Sequence, residues 1–335
     1  MKNFLILVLL FMPVWGCKSK KESSEFFKRG NYHFKKNELE KAEHFFTEAI
    51  KKSPDFADAY NNRGAVYLKW GKNQDAKKDF EKAVNLDGKF TEAKFNLAKL
   101  LSETGELKQA EGLFKSIENK MKNSSDFYNH FGQNTVKLNH FDEGLKALEQ
   151  SLKLNPGNVE ALTNISYVFL VQNNEKIAQD YIDKALKINP EFGFALNNNA
   201  VISGRKRDFK NSVEMLEKAL IKDPQNQVFL NNAALYYLEN RELEKGIVFL
   251  EKANKIDESN PYSLRNMAIY LFYSGKTKES YSLFQKIEKE NPEVDHIYYY
   301  LSKNASALHD KISACKYRKT GAGLSEPWIS ELPQC

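Results

Sequence analysis

The chain has 335 residues, 41% hydrophobic and 28% charged, with 16 Gly, 9 Pro and 3 Cys. That composition excludes collagen-like and mainly disordered classes, a disulfide-dense mini-scaffold and a four-cysteine zinc site. The net charge of +6 is spread along the chain and does not argue for nucleic acid as a partner.

Residues 1–16 read as an export signal. Met1-Lys2-Asn3 places a positive charge ahead of an apolar run from Phe4 to Trp15, shorter than the roughly 20 residues of a membrane-spanning helix. Val14-Trp15-Gly16-Cys17 then resembles the bacterial lipobox, with Trp15 departing from the usual small or aliphatic residue. The resemblance implies lipid attachment at Cys17 with cleavage just before it. The product would be an exported lipoprotein of the outer membrane or cell envelope, touching the membrane through its lipid anchor only. Residues 17–22 are polar and read as a solvated tether.

From residue 23 the chain repeats with a period of 34. Gly30, Gly64, Ala98, Gly132, Ser166, Ala200, Ala234 and Ala268 form one small-residue series. Ala42, Ala76, Ala110, Gly144, Ala178, Ser212, Gly246 and Ser280 form a second, 12 residues on. Four residues beyond each of these stands a large apolar residue, Phe46, Phe80, Phe114, Leu148, Ile182, Leu216, Leu250 or Phe284. The spacing predicts a two-helix unit. Small residues let its helices approach, the large residue fills the gap, and Pro54, Pro156, Pro190, Pro224 or Pro292 marks a repeat end. No pair buries its own face, so neighbours must stack.

Tyr60, Gly64, Tyr67, Ala76, Phe80 and Ala83 of the second copy resemble the tetratricopeptide repeat. The resemblance covers eight copies (23–56, 57–90, 91–124, 125–158, 159–192, 193–226, 227–260 and 261–294). It implies an all-α fold, a right-handed superhelix whose first helices line a concave groove. Residues 295–335 read as a partial ninth repeat and a C-terminal cap. Ala314 keeps the register, Gly321 and Gly323 break it, and Ser325-Glu326-Pro327 looks like a helix start. Trp328 to Leu332 is expected to fold back as a lid over the last helix face. Cys315 and Cys335 are an even pair in an exported chain and are expected to bridge, two free thiols being the alternative.

None of the six histidines forms a metal-ligand spacing, and there is no phosphate-binding loop or nucleophile elbow. No catalysis, cofactor or metal is expected. Function is expected instead on the first helices. Asn62, Asn96, Asn164, Asn198, Asn232 and Asn266 share one repeat place, with His130 substituting once. They resemble the asparagine ladder by which some tetratricopeptide superhelices hold an extended peptide, since an amide matches both groups of a peptide unit. Asn at this place is also a helix-packing choice.

Early groove places are polar: Asp58, Lys69, Glu92, Lys99, Glu103 and Lys137. Later ones hold Tyr167, Phe194, Val201, Leu235, Tyr262, Ile269, Phe272 and Tyr273, an apolar strip expected to be an interaction site unless a curl or the lid buries it. Arg205 and Arg265 among them suit an acidic group on the ligand. The family's chaperone-carboxylate clamp is incomplete. Phe27 and Glu92 stand at its Lys places, although Asn31 and Asn62 match. The reading is a membrane-anchored scaffold for a protein or peptide partner. The alternative is a periplasmic chaperone for unfolded or lipidated clients.

Overall fold

The computed structural model describes the backbone of residues 14–335 and the side chains from Ser19 onward. Residues 1–13 of the export signal and the Cys17 side chain lie outside it. The described residues form eighteen α-helices and one 3-10 turn, with no strand, and the chain divides into two compact units, Met1–Pro156 and Gly157–Cys335. No helix among the described residues is long and apolar enough to cross a membrane.

In the first unit four hairpins follow one another: α1 (Val14–Lys35) with α2 (Leu39–Lys52), α3 (Ala57–Lys69) with α4 (Asn73–Leu86), α5 (Thr91–Glu103) with α6 (Leu107–Met121), and α7 (Ser125–Lys137) with α8 (Phe141–Leu154). The second unit holds five: α9 (Val159–Val171) with α10 (Glu175–Ile188), α11 (Gly193–Arg205) with α12 (Phe209–Lys222), α13 (Gln227–Glu239) with α14 (Leu243–Ile256), α15 (Pro261–Tyr273) with α16 (Thr277–Glu290), and α17 (Ile297–Ala307) with α18 (Lys311–Gly323).

Two expectations change. Residues 19–22 are not a free tether but part of α1: the Ser19 hydroxyl donates to the Lys52 carbonyl, and Glu22 pairs with Lys52 at 2.8 Å. The ninth repeat is a complete hairpin, its first helix starting at 297.

The repeat pattern has a direct steric cause. A methyl group at Gly30 would stand 2.5 Å from the Phe46 ring, at Gly64 2.8 Å from Phe80, and at Gly132 2.7 Å from Leu148. Each small residue therefore makes room for the large residue 16 places on, and that large residue also meets the next hairpin. Phe114 lies 5.9 Å from Phe127, and Phe284 stacks on Tyr300 at 5.3 Å. Three of the small serines bond across the pair: Ser212 donates to the Ala200 carbonyl at 2.9 Å, Ser280 to Ala268 at 2.8 Å and Ser302 to Ala314 at 2.8 Å, whereas Ser166 donates to Thr163 of its own helix. Helix starts are capped by Ser124, Asn158, Asp208, Asn226, Asn260 and Asp310, each side chain accepting a backbone N–H of the first turn.

Between the two helices of every hairpin one residue adopts the left-handed conformation, at 37, 71, 105, 139, 173, 207, 241, 275 and 309. Gly or Asn fills six of these, as the sterics of a Cβ at positive φ demand. The others are Arg207, Arg241 and His309.

Candidate functional site

In the second unit one first-helix place passes through Tyr167, Val201, Leu235 and Ile269. Tyr167 is 50% exposed, Val201 is half-buried, and Leu235 and Ile269 fall to 1% and 0%. Leu235 and Ile269, expected on the open strip, are therefore core residues. They join the cluster that contains Tyr299, Tyr300, Trp328 and Ile329. The apolar side chains that remain open are Tyr167, Val171, Phe194, Val228 and Tyr262. Val201 is half-buried, as are Phe272 and Tyr273.

The C-terminal segment, whose Trp328 and Ile329 belong to that cluster, does more than cover the last helices. It does cover them: Ile329 lies over Gly321, where a Cβ would stand 2.8 Å from its side chain, and Arg318 donates to the Leu332 carbonyl at 3.2 Å. It also reaches the turn between α11 and α12. The Trp328 indole N–H donates to the Arg205 carbonyl at 3.2 Å. Arg207 donates to Glu331 at 2.8 Å and to the Tyr299 hydroxyl at 3.0 Å, with its guanidinium 4.8 Å from the Trp328 ring centre. Trp328 is further packed by His296 at 4.3 Å and Phe209 at 5.7 Å.

The expected helix start at Ser325-Glu326-Pro327 yields only a 3-10 turn, Ile329–Glu331. Glu326 instead caps α17, accepting the backbone N–H groups of Tyr298 at 3.0 Å and Tyr299 at 2.6 Å. Burial pushes its carboxyl up to about 7, against the lowering influence of His296 and the two N–H bonds. Cys315 and Cys335 are joined in a disulfide, their Cα atoms 5.5 Å apart, which fastens the end of the segment to α18.

The asparagine series is brought together as a set of bonds between hairpins. Asn62 donates to Asn31 at 2.7 Å, Asn96 to Asn61 at 2.9 Å and Asn232 to Asn197 at 2.8 Å. Asn198 donates to Ser166 at 2.9 Å, and Asn266 to the Asn231 carbonyl at 2.8 Å. Asn198 and Asn266 are buried, whereas Asn62, Asn96, Asn164 and Asn232 are half-buried. Five of these amide groups thus already bond the preceding hairpin, which is the packing use of Asn at this place.

The two arginines expected to meet a ligand are also engaged. Arg265 is buried, pairs with Asp295 and donates twice to the Asn266 side chain at 3.1 Å. Burial alone would raise the Asp295 carboxyl, but Arg265 and His296 hold it well below the usual range, and its side chain stays half open to solvent. Arg205 donates to the Leu170 carbonyl at 3.1 Å. Tyr273 and Tyr300 both donate to the buried Glu239. The Lys303 ammonium lies 4.9–5.5 Å from the ring centres of Phe272, Tyr273, Tyr299 and Tyr300, where burial lowers its pKa.

In the first unit Asp58, Glu92 and Glu103 are exposed, while the lysines lean on neighbouring hairpins. Lys69 donates to Asn37 at 3.3 Å and Lys137 to the Ser102 carbonyl at 3.1 Å, and Lys99 lies 3.9 Å from Asp126. His130 pairs with Asp126 at 3.2 Å and thereby lowers that carboxyl. Glu111, His140 and Glu143 converge within 4.8 Å, a grouping invisible to local spacing because it joins two hairpins. The Lys115 ammonium already pairs with both carboxylates, 2.9 Å from Glu111 and 3.3 Å from Glu143.

The residues missed from sequence are Arg207 and Arg241. Their signal was present: Arg occupies two turns where six of nine copies carry Gly or Asn. A long side chain held at positive φ costs on the order of 1 kcal/mol, so it persists where contacts repay it. Arg207 holds the C-terminal segment, and the Arg241 guanidinium sits 3.6 Å from the Tyr273 ring centre.

Comparison with known proteins agrees with this geometry. Three tetratricopeptide-repeat models match residues 30–71, 57–90 and 131–191. Human tetratricopeptide repeat protein 6 is 26% identical over 188 residues, 45% of this chain and 36% of that protein. Soybean Hsp70-Hsp90 organizing protein 1 is 41% identical over 71 residues, 21% of this chain and 12% of that protein. The chain thus spans about a third and about an eighth of the length of these relatives. Among solved structures, the APC/C hetero-tetramer Cut9-Hcn1 superposes with a TM-score of 0.59 at 16% identity, covering 77% of this chain and 48% of that one, a likeness of fold. Residues 30–90 and 131–191 carry tetratricopeptide repeats, and the other hairpins continue the same 34-residue geometry.

Proposed function

We propose that this protein is a non-enzymatic scaffold, tied to the cell envelope by a lipid on Cys17, that holds an extended segment of a partner protein on the first-helix face of its second unit. One observation carries the reading. Phe194, Val228 and Tyr262 occupy the same place on three successive hairpins and stay exposed together with Tyr167, in a unit whose other aromatic side chains are all buried or half-buried. Exposed apolar residues at a regular step suit apolar side chains spaced along an extended chain. With the asparagine amides engaged between hairpins and Asp295 paired with Arg265 and His296, recognition rests on these side chains. The partner segment is then apolar. The chaperone partners named in the soybean relative are not carried over, because Phe27 and Glu92 replace two cations of that clamp.

The test is photo-crosslinking in native membranes from a benzoylphenylalanine at position 228, with position 218 on the outer side of α12 as control. A discrete adduct from 228 alone supports the scaffold. A smear of many adducts, together with suppressed aggregation of unrelated unfolded proteins, favours the chaperone reading. Equal adducts from both positions overturn the proposed face.

A further inference from the structure

A second site lies away from the Tyr167–Tyr262 face. The end of α15, one side of α17 and α18, and the last residues of the chain enclose a recess of about 670 Å³. That is within the range of about 300–1,000 Å³ usual for small-molecule sites. Its apolar wall is formed by Phe272, Leu332 and the Cys315–Cys335 disulfide. Lys303, Lys311 and Arg318 are among its lining residues, and no Asp or Glu is. Among the described residues none of the three forms an ion pair with a carboxylate. Lys303 is surrounded by rings and its charge is disfavoured by burial. Glu239 and Glu331 act on Lys303 without pairing with it, and an anion in the recess would give the lining cations a direct counter-charge.

We propose that the recess binds a long-chain fatty acid, its carboxylate at the three cations and its acyl chain along Phe272, Leu332 and the disulfide. The hydrogen-bonding character of the walls favours an acyl chain over a peptide. Ser302 already donates to the Ala314 carbonyl, and one Arg318 N–H to the Leu332 carbonyl. Ser306 and Gln334 at the rim could serve only part of a peptide, and its remaining N–H and C=O groups laid against Phe272, Leu332 and the disulfide would lack partners. An acyl chain has no such groups and needs only apolar contact and one anchored head. The cations reach that head from separate helices, α17 for Lys303 and α18 for Lys311 and Arg318.

The experiment uses the full chain and cis-parinaric acid, whose fluorescence rises on leaving water. A saturable one-to-one signal is expected, displaced by palmitate and not by hexadecanol, which has the chain without the charge. Lys311 is exposed and bonds nothing in the fold, so Lys311→Glu should weaken parinarate by about tenfold or more through a lost charge-assisted contact and a new repulsion. Ser306→Trp, on the exposed rim, should block entry without disturbing the core. Unchanged affinity in both variants, or equal displacement by hexadecanol, overturns the proposal. So does loss of binding in Phe194→Ala with Lys311→Glu unaffected, which would place the probe on the other face. Crosslinking from position 228 does not depend on Lys311, so this site and the proposed function fail separately.

Discussion

Replacing Trp328 by Ala tests whether the C-terminal segment ties the ninth hairpin to the sixth. Trp328 is buried, donates one hydrogen bond to the Arg205 carbonyl and packs on His296, Phe209 and Tyr299. Truncation of a buried Trp costs about 3–5 kcal/mol, and a cavity beside the Arg207–Glu331 pair would let water in. In an ordinary solenoid the damage would fade within a neighbouring repeat, because each repeat contacts only the next. Here the hydrogen bond spans 123 residues, so the loss should reappear at the α11–α12 turn, three hairpins away. A local loss of about 3 kcal/mol corresponds to roughly two decades in amide exchange rate. Hydrogen exchange read by mass spectrometry should therefore show faster exchange both in residues 297–335 and around 203–209, with the first unit unchanged. Faster exchange confined to residues 325–335 would refute the tie.

Four further outcomes follow from the same geometry. Glu326 is raised to about 7 by burial, so the folded protein holds its proton more tightly than the unfolded chain. Stability from this group is full below the ordinary glutamate range and is lost as pH rises through about 7, up to about 3 kcal/mol. Denaturant melts of the second unit between pH 5 and 8 should show this fall, and Glu326→Gln should flatten it. Cys335→Ser opens a loop spanning 20 residues and should cost the last hairpin about 3 kcal/mol, read as a lower midpoint that reductant reproduces in the wild type. Arg241→Gly removes one cation–ring contact but relieves positive-φ strain, so its stability should change by less than about 0.5 kcal/mol; Arg207→Gly loses the ties to Glu331 and Tyr299 as well and should destabilise by about 1–2 kcal/mol in the same melts. Cys17→Ala should move the protein from the membrane to the soluble fraction with its circular dichroism intact, and retention in the membrane would remove the anchor from the proposed function.

The hairpins were legible because their cause is local and repeated. Gly30 against Phe46 and Gly64 against Phe80 are the same steric fit at the same spacing, so the period carries the packing with it. The tie of Trp328 to Arg205 was not legible, because it occurs once and its partner lies three hairpins back. Periodicity encodes what each repeat does to the next and is silent about a terminal segment that returns. Its local trace was Arg207 at a left-handed turn, where the sequence departs from the Gly and Asn of six other copies. The asparagine series was legible as a series but not in its role. An amide able to bond a peptide is equally able to bond the preceding hairpin, and Asn62 to Asn31 and Asn96 to Asn61 take the nearer partner.

Once a solenoid is tied at its end, equivalent places stop being equivalent. Tyr167, Val201, Leu235 and Ile269 share one position in the repeat, yet burial rises along them until Ile269 is wholly enclosed. A binding face inferred from the repeat frame alone therefore extends too far toward the C-terminus. What survives lies at a different place, near the start of each first helix, where Phe194, Val228 and Tyr262 remain open beyond the reach of Trp328 and Ile329. The C-terminal segment shares the buried cluster in which the strip ends and so borders the face left for a partner. It is the same segment that, with α17 and α18, builds the cation-lined recess. Both sites depend on residues 325–335, so Trp328→Ala should disturb each, whereas Lys311→Glu should disturb the recess alone. If Trp328→Ala left both crosslinking at position 228 and parinarate binding untouched, the C-terminal segment would be a plain cap and would define neither site.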